Sequence, residues 1–137
     1  MIAKETFSSD NFAAAVDFDS GVFLAASVLF RGKLSLREID ENMAEIRKSL
    51  NFASYVPTGI KIGVTHTGLA NLDYSGLALA NHTGISQVFD RLLEQFDVMF
   101  ENNAYTHWFE GNGVSRDDMK AARDSVAELS QSYKEAE

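Results

Sequence analysis

From Val22 to Phe30 every position except Ser27 is apolar. A continuous run of this kind predicts a strand covered on both faces, ended here by Gly32. Ser35-Leu36-Arg37-Glu38 then reads as a capping box, in which serine and glutamate satisfy each other's backbone amides. Ile39, Met43, Ile46 and Leu50 follow at spacings of 4, 3 and 4, and with Leu36 they form one stripe. That spacing predicts a helix over 35–50. The period then changes to two: Ile60, Ile62 and Val64 alternate with Lys61, Gly63 and Thr65, the pattern of a half-buried strand. Val56-Pro57 interrupts this region, because proline has no amide to donate to a ladder. The reading is therefore strand 52–56 joined to strand 60–66, a loop over 66–74, and a short strand over 75–80.

The last third of the chain is helical in period. Thr83 is a candidate N-cap. Ile85, Val88, Phe89, Leu92, Phe96, Met99 and Phe100 recur on one face, and Asp90, Arg91, Glu94, Asp97 and Glu101 on the other. This predicts a helix over 84–102, ended by Asn102-Asn103. Ser115 caps a final helix over 116–135, with Asp117 and Asp118 at the positive end of its dipole. Its stripe of Met119, Ala122, Val126, Leu129 and Tyr133 is narrow, so most of that helix faces solvent. Near the start, Phe12-Ala13-Ala14-Ala15-Val16 reads as a short helix before a loop over 17–21. Together these elements predict an α/β fold: a mixed sheet with flanking helices, ending in two packed surface helices. Helix 35–50 is expected on one side of the sheet and helices 84–102 and 116–135 on the other.

Composition narrows the function classes. The 137 residues are one domain's worth of chain, with 45% apolar and 23% charged residues and ten Phe for a core. The formal charge of −8 opposes a nucleic-acid or anionic-membrane surface, which needs clustered Lys and Arg. With no cysteine there is no disulfide, thiol nucleophile or thiolate metal site. No apolar run reaches the roughly 20 residues of a membrane span. The expectation is a soluble cytoplasmic protein.

Little in the residues suggests chemistry. His66, His82 and His107 do not fall at metal-ligand spacing and have no nucleophile partner in the pattern. His107 is expected to be a packed, hydrogen-bonded structural residue, and His66 and His82 to lie at the surface. Gly59/Gly63 and Gly111/Gly113 fit no phosphate-binding fingerprint, and Gly111-Asn112-Gly113 reads as a reversal between two helices. Trp108, flanked by Tyr105 and Phe109, suits a ligand cage, an interface anchor or core packing.

Several segments carry a family likeness. Ala104-Tyr105-Thr106-His107-Trp108-Phe109-Glu110-Gly111-Asn112-Gly113 follows a long helix and precedes a polar one. Upstream stand Phe52, Pro57 and the apolar-Lys strand around Lys61, the segment Val28-Leu29-Phe30-Arg31-Gly32, and Asn81-His82-Thr83-Gly84-Ile85. In this order and separation they resemble the C-terminal part of a tubulin, over about residues 12–134. The resemblance implies that 1–82 corresponds to part of the intermediate domain and 83–137 to the C-terminal helices. It implies a cytoskeletal polymer subunit whose partners are other tubulin-like subunits, with motor or associated proteins touching the outside. Tyr105, His107, Trp108, Phe109, Pro57 and Lys61 are then candidate subunit-contact residues. Arg116, Asp117, Lys120, Arg123, Asp124 and Glu128 are candidates for the outer filament surface.

Tubulins bind GTP or GDP with Mg and hydrolyse GTP on polymerising, but through a nucleotide domain with a Gly-rich phosphate loop that has no counterpart here. The resemblance therefore assigns no catalytic, cofactor or metal residue to this chain. It implies a piece of a longer subunit, β-like in its short 66–74 connection and of bacterial or otherwise divergent origin. Without an upstream strand and helix, one sheet edge and part of an apolar face are expected to be open, favouring self-association. An alternative reading is a truncated tubulin-like module that caps or regulates filament ends. A small α/β enzyme using one of the histidines is a third.

Overall fold

The computed structural model describes residues 2–136. The chain divides into two compact units, one up to Thr83 and one from Gly84 onward.

The first unit comprises helix α1 (Ile2–Thr6), strand β1 (Phe23–Gly32), helix α2 (Leu36–Ser49), strand β2 (Ile60–Thr65) and strand β3 (Tyr74–His82). The sheet order is β2-β1-β3. β1 and β2 are parallel, with Val28 beside Ile62, and α2 makes the crossover that a parallel pair requires. β1 and β3 are antiparallel, with Val28 beside Ala78, so the sheet is mixed as expected.

One sheet face forms the core. Ala26, Val28 and Phe30 of β1 and Ile60 of β2 pack with Ile39, Met43 and Ile46 of α2 and Ala3 of α1. Phe30 and Val28 have no exposed surface at all. α1 crosses β3 closely, because a Cβ on Gly76 would lie 2.7 Å from the Thr6 hydroxyl.

The other sheet face is open, so the cover on both sides that the apolar run of β1 suggested is not seen, whereas an open part of an apolar face was expected. Leu29 is 42% exposed, Leu77 56% and Leu79 67%. These residues share a face with Ser27, Gly63 and Lys61, by register. An unbroken apolar run shows that both faces avoid charge, but not what covers them. β1 itself is central and paired on both sides.

Three other local expectations change. Residues 12–16 are not helical; the helix lies earlier, at α1, with a 3-10 turn at Ser9–Asn11. Phe12 instead anchors its segment by packing on Phe18, ring centroids 4.1 Å apart. Residues 52–56 form no strand: Phe52 makes a single bridge to Phe23, and Val56 donates to the Ala53 carbonyl in a turn. Ser35 occupies the N-cap of α2, but its side chain makes no cap hydrogen bond.

The second unit holds α3 (Ser86–Glu101), α4 (Thr106–Gly111) and α5 (Arg116–Glu135). Thr83 does not cap α3, which follows a 3-10 turn at Thr83–Ile85. The Thr83 hydroxyl accepts from the Val22 amide at 3.0 Å instead. α3 and α5 pack through polar as well as apolar groups. Arg123 donates from Nε and Nη2 to the two Asp97 oxygens at 2.9 and 2.7 Å. The Ser130 hydroxyl, 2% exposed as a residue, donates to Asp90 at 2.6 Å. Phe89 faces Tyr133 with centroids 6.3 Å apart. The inward face of α5 therefore runs through Met119, Arg123, Val126, Ser130 and Tyr133, while Ala122 and Leu129 are exposed. Two members of the predicted stripe point outward, because polar partners on α3 draw Arg123 and Ser130 in.

Candidate functional site

The segment after α3 is built by turn chemistry. At the end of α3, the Asn102 side-chain amide donates to the Val98 carbonyl at 2.8 Å. Asn103 and Tyr105 then adopt left-handed φ of 54° and 61°, a conformation that asparagine tolerates and tyrosine rarely takes. The two reversals turn the chain into α4, whose first residue, Thr106, is buried and donates from its hydroxyl to the Asn103 carbonyl. The aromatic segment is thus a short helix rather than an open turn.

This helix exposes its rings. Tyr105 is 62% exposed, Trp108 64% and Phe109 54%. His107 is also exposed, with its ring 5.1 Å from that of Trp108, which corrects the expectation of a packed structural histidine. Of the three readings open for Trp108, packing in the core of this chain is excluded. A helix this short cannot bury its own aromatics, and sequence period alone does not show which face a neighbour covers.

Both ends are fixed. The Asn112 amide donates to the Trp108 carbonyl at 2.7 Å, and Gly113 reverses the chain with a φ of 87°. Ser115 and Asp118 then form a reciprocal capping box at α5. Arg116 lies over the Phe100 ring, 4.5 Å from its centroid, and also donates to Asn103. The end of α3, the whole of α4 and the start of α5 are therefore tied together.

Three carboxylates in this unit are held below the ordinary range. Hydrogen bonds from Lys134 and then Ser130 act on Asp90. Hydrogen bonding from Arg123 acts on Asp97, and from the Ser115 hydroxyl and amide on Asp118. The Arg123 guanidinium is correspondingly pushed up by Asp97.

The remaining candidates fall as follows. Arg116, Asp117, Lys120, Asp124 and Glu128 are exposed on α5, but Arg123 is half-buried against α3. Pro57 and Lys61 are exposed in the first unit, in the turn before β2 and on the open sheet face. His66 is exposed, whereas His82 is only 4% exposed, which overturns its expected surface position. Its ring lies 4.8 Å from Phe18 and 4.5 Å from Phe23. Among the described residues, no group of three or more His, Asp or Glu side chains could hold a metal ion. No helix there is long and apolar enough to cross a membrane. The sequence implied that part of an apolar face stands open, but not that it is the face carrying Leu29, Leu77 and Leu79.

The family model of the tubulin C-terminal domain matches residues 1–94, well over half the chain. The chain belongs to the tubulin family. Among curated relatives, the nucleomorph tubulin beta chain of Guillardia theta is 32% identical over 136 residues, 98% of this chain and 31% of the relative. The tubulin beta chain of Encephalitozoon intestinalis is 29% identical over the same share of both chains. That of Enteroctopus dofleini is also 29% identical, across 98% of this chain and 30% of its own length. The chain therefore spans just under a third of these tubulins. The family model ends within α3, while the beta-chain similarities extend over α4 and α5. The likeness drawn from residues 12–134 is a true family relationship, and the mixed sheet with flanking helices agrees with it.

Proposed function

We propose that this chain is the C-terminal portion of a filament-forming tubulin subunit, a structural element of a cytoskeletal polymer. The observation that carries this is helix α4, closed at its C-terminal end by the Asn112 side chain, which presents Tyr105, Trp108 and Phe109 to solvent. Trp and Tyr dominate binding energy at protein interfaces, and a pre-ordered element loses little entropy on binding. α4, with His107, supplies a contact to the next subunit along the filament, and Pro57 and Lys61 contribute from the first unit. Arg116, Asp117, Lys120, Asp124 and Glu128 on α5 form an outer, charged surface open to motor or associated proteins. Arg123 belongs instead to the support of that surface, because its guanidinium is engaged by Asp97.

Nucleotide chemistry belongs, in this reading, to the parts of a tubulin outside this third of its length. The residues present do not fit GTP or its Mg. The Gly113 amide is engaged by the Glu110 carbonyl at 3.0 Å, and Gly63 lies inside β2, so neither glycine pair cradles a phosphate.

Co-sedimentation tests this. The chain is mixed at rising ratio with full-length beta tubulin and its alpha partner, in GTP. The expected result is a fall in polymer mass at substoichiometric ratio, abolished by Trp108→Ala. Unchanged polymer mass at every ratio, with the chain folded and absent from the pellet, rejects the contact role.

A further inference from the structure

We propose that Asn112 is a site of spontaneous deamidation, and that its conversion uncaps α4. Asn112 is the one asparagine of the chain followed by glycine. Deamidation requires the amide nitrogen of the following residue to reach the asparagine side-chain carbonyl carbon. A side chain on that residue obstructs the approach, and glycine leaves it open. Here the turn is unconfined as well: a Cβ placed on Gly113 would meet nothing within 4 Å. Both residues are exposed, so water and base have access.

The reaction balances with water alone. The Gly113 nitrogen gives up its proton to solvent and bonds to Cγ of Asn112, and the side-chain nitrogen leaves as ammonia. Water then opens the five-membered succinimide at one carbonyl or the other, giving aspartate or isoaspartate. One water is consumed, one ammonia is released, and one carboxylate is formed, on the side chain in aspartate and on the former main-chain carbonyl in isoaspartate.

Two hydrogen bonds set the rate and the consequence. The Gly113 N–H donates to the Glu110 carbonyl at 3.0 Å, so the turn must open before the nitrogen reacts. The Asn112 amide donates to the Trp108 carbonyl at 2.7 Å and is the side-chain cap of α4. A carboxylate has no proton to donate there. It would face the carbonyl acceptor to acceptor, beside helix-end carbonyls that already carry partial negative charge. The last turn of α4 then loosens, and Trp108 and Phe109 lose their fixed presentation.

The full chain is incubated in neutral and in mildly alkaline buffer, digested, and sequenced by tandem mass spectrometry. Aspartate and isoaspartate should accumulate at Asn112 ahead of Asn102 and Asn103, faster at the higher pH, and not in Asn112→Gln. An intact Asn112 in the folded chain, over a period that converts the urea-denatured chain, overturns the site. The uncapping is read separately. Trp108 is the sole tryptophan, so its fluorescence anisotropy reports on α4 alone. Asn112→Asp should lower that anisotropy, and an unchanged value overturns the uncapping. Neither readout involves polymer, so both stand whether or not α4 is a subunit contact.

Discussion

Replacing Trp108 or Phe109 with alanine separates binding from folding. Trp108 is 64% exposed and Phe109 54%, so neither is held in a core. Exposed substitutions away from special features usually change stability by only about 0.5 kcal/mol. Binding is another matter. Large aromatic side chains bury roughly 150–250 Å², so about 150 Å² of Trp108 and about 100 Å² of Phe109 remain to be covered by a partner. At about 25 cal/mol per Å², the upper limits are about 4 and about 2.5 kcal/mol. Ordering costs at an interface take part of this, which leaves about 2 kcal/mol for Trp108. That is about thirtyfold in affinity. The assay pairs a far-UV circular dichroism melt with tubulin co-sedimentation. The reasoning fails if Trp108→Ala inhibits assembly as well as the parent chain does, or if it melts early, which would mean the ring supports the fold.

Further predictions concern the fold that carries this surface. Phe30→Ala should cost about 3–5 kcal/mol, because the ring is wholly enclosed, and a urea titration followed by circular dichroism reads the loss directly. Ser115→Ala should cost about 1 kcal/mol by removing a cap that forms. Ser35→Ala should cost distinctly less, since its side chain makes no cap hydrogen bond, and equal costs in the two melts would contradict the difference seen. Asp90, Asp97 and Asp118 all have lowered pKa values in the folded chain. Their contribution to stability is therefore complete above the unfolded value of about 4 and is lost as pH falls through the lower folded values. The pair of substitutions Asp90→Asn and Asp97→Asn should flatten the acid side of the stability curve, and an unaltered acid limb argues against these contacts.

Much of the fold was legible in the sequence because period reports burial. The 4-3-4 spacing of Ile39, Met43, Ile46 and Leu50 located α2 within a residue or so at each end. The alternation of Ile60, Ile62 and Val64 located β2. The cap at Ser115 was visible as a serine before two aspartates, and its reciprocal box completes through Asp118. The family likeness lay in particular residues, the Arg31-Gly32 turn and the aromatic segment around Trp108, rather than in composition.

What failed were statements about neighbours. A capping box at Ser35 and a strand at 52–56 were locally reasonable. Yet the Ser35 hydroxyl makes no cap bond, and the chain around Phe52 is committed to one bridge with Phe23. The α5 stripe was misassigned because Asp97 and Asp90 on α3 attract Arg123 and Ser130, and hydrophobic period does not count such pairs. His82 was expected outside, but the rings of Phe18 and Phe23 enclose it from segments far away in sequence.

The sequence by itself determined the class of fold, the positions of the main helices and strands, and membership of the tubulin family. These follow from local propensity, side-chain period and residue identity, all of which are written along one dimension. Tertiary structure alone decided which face of β1 is covered and which is open. It also decided that Arg123 turns inward, and that His107, Trp108 and Phe109 stand in solvent on a capped helix. Those outcomes depend on which distant surfaces meet, and burial is a property of the pair of surfaces rather than of either residue.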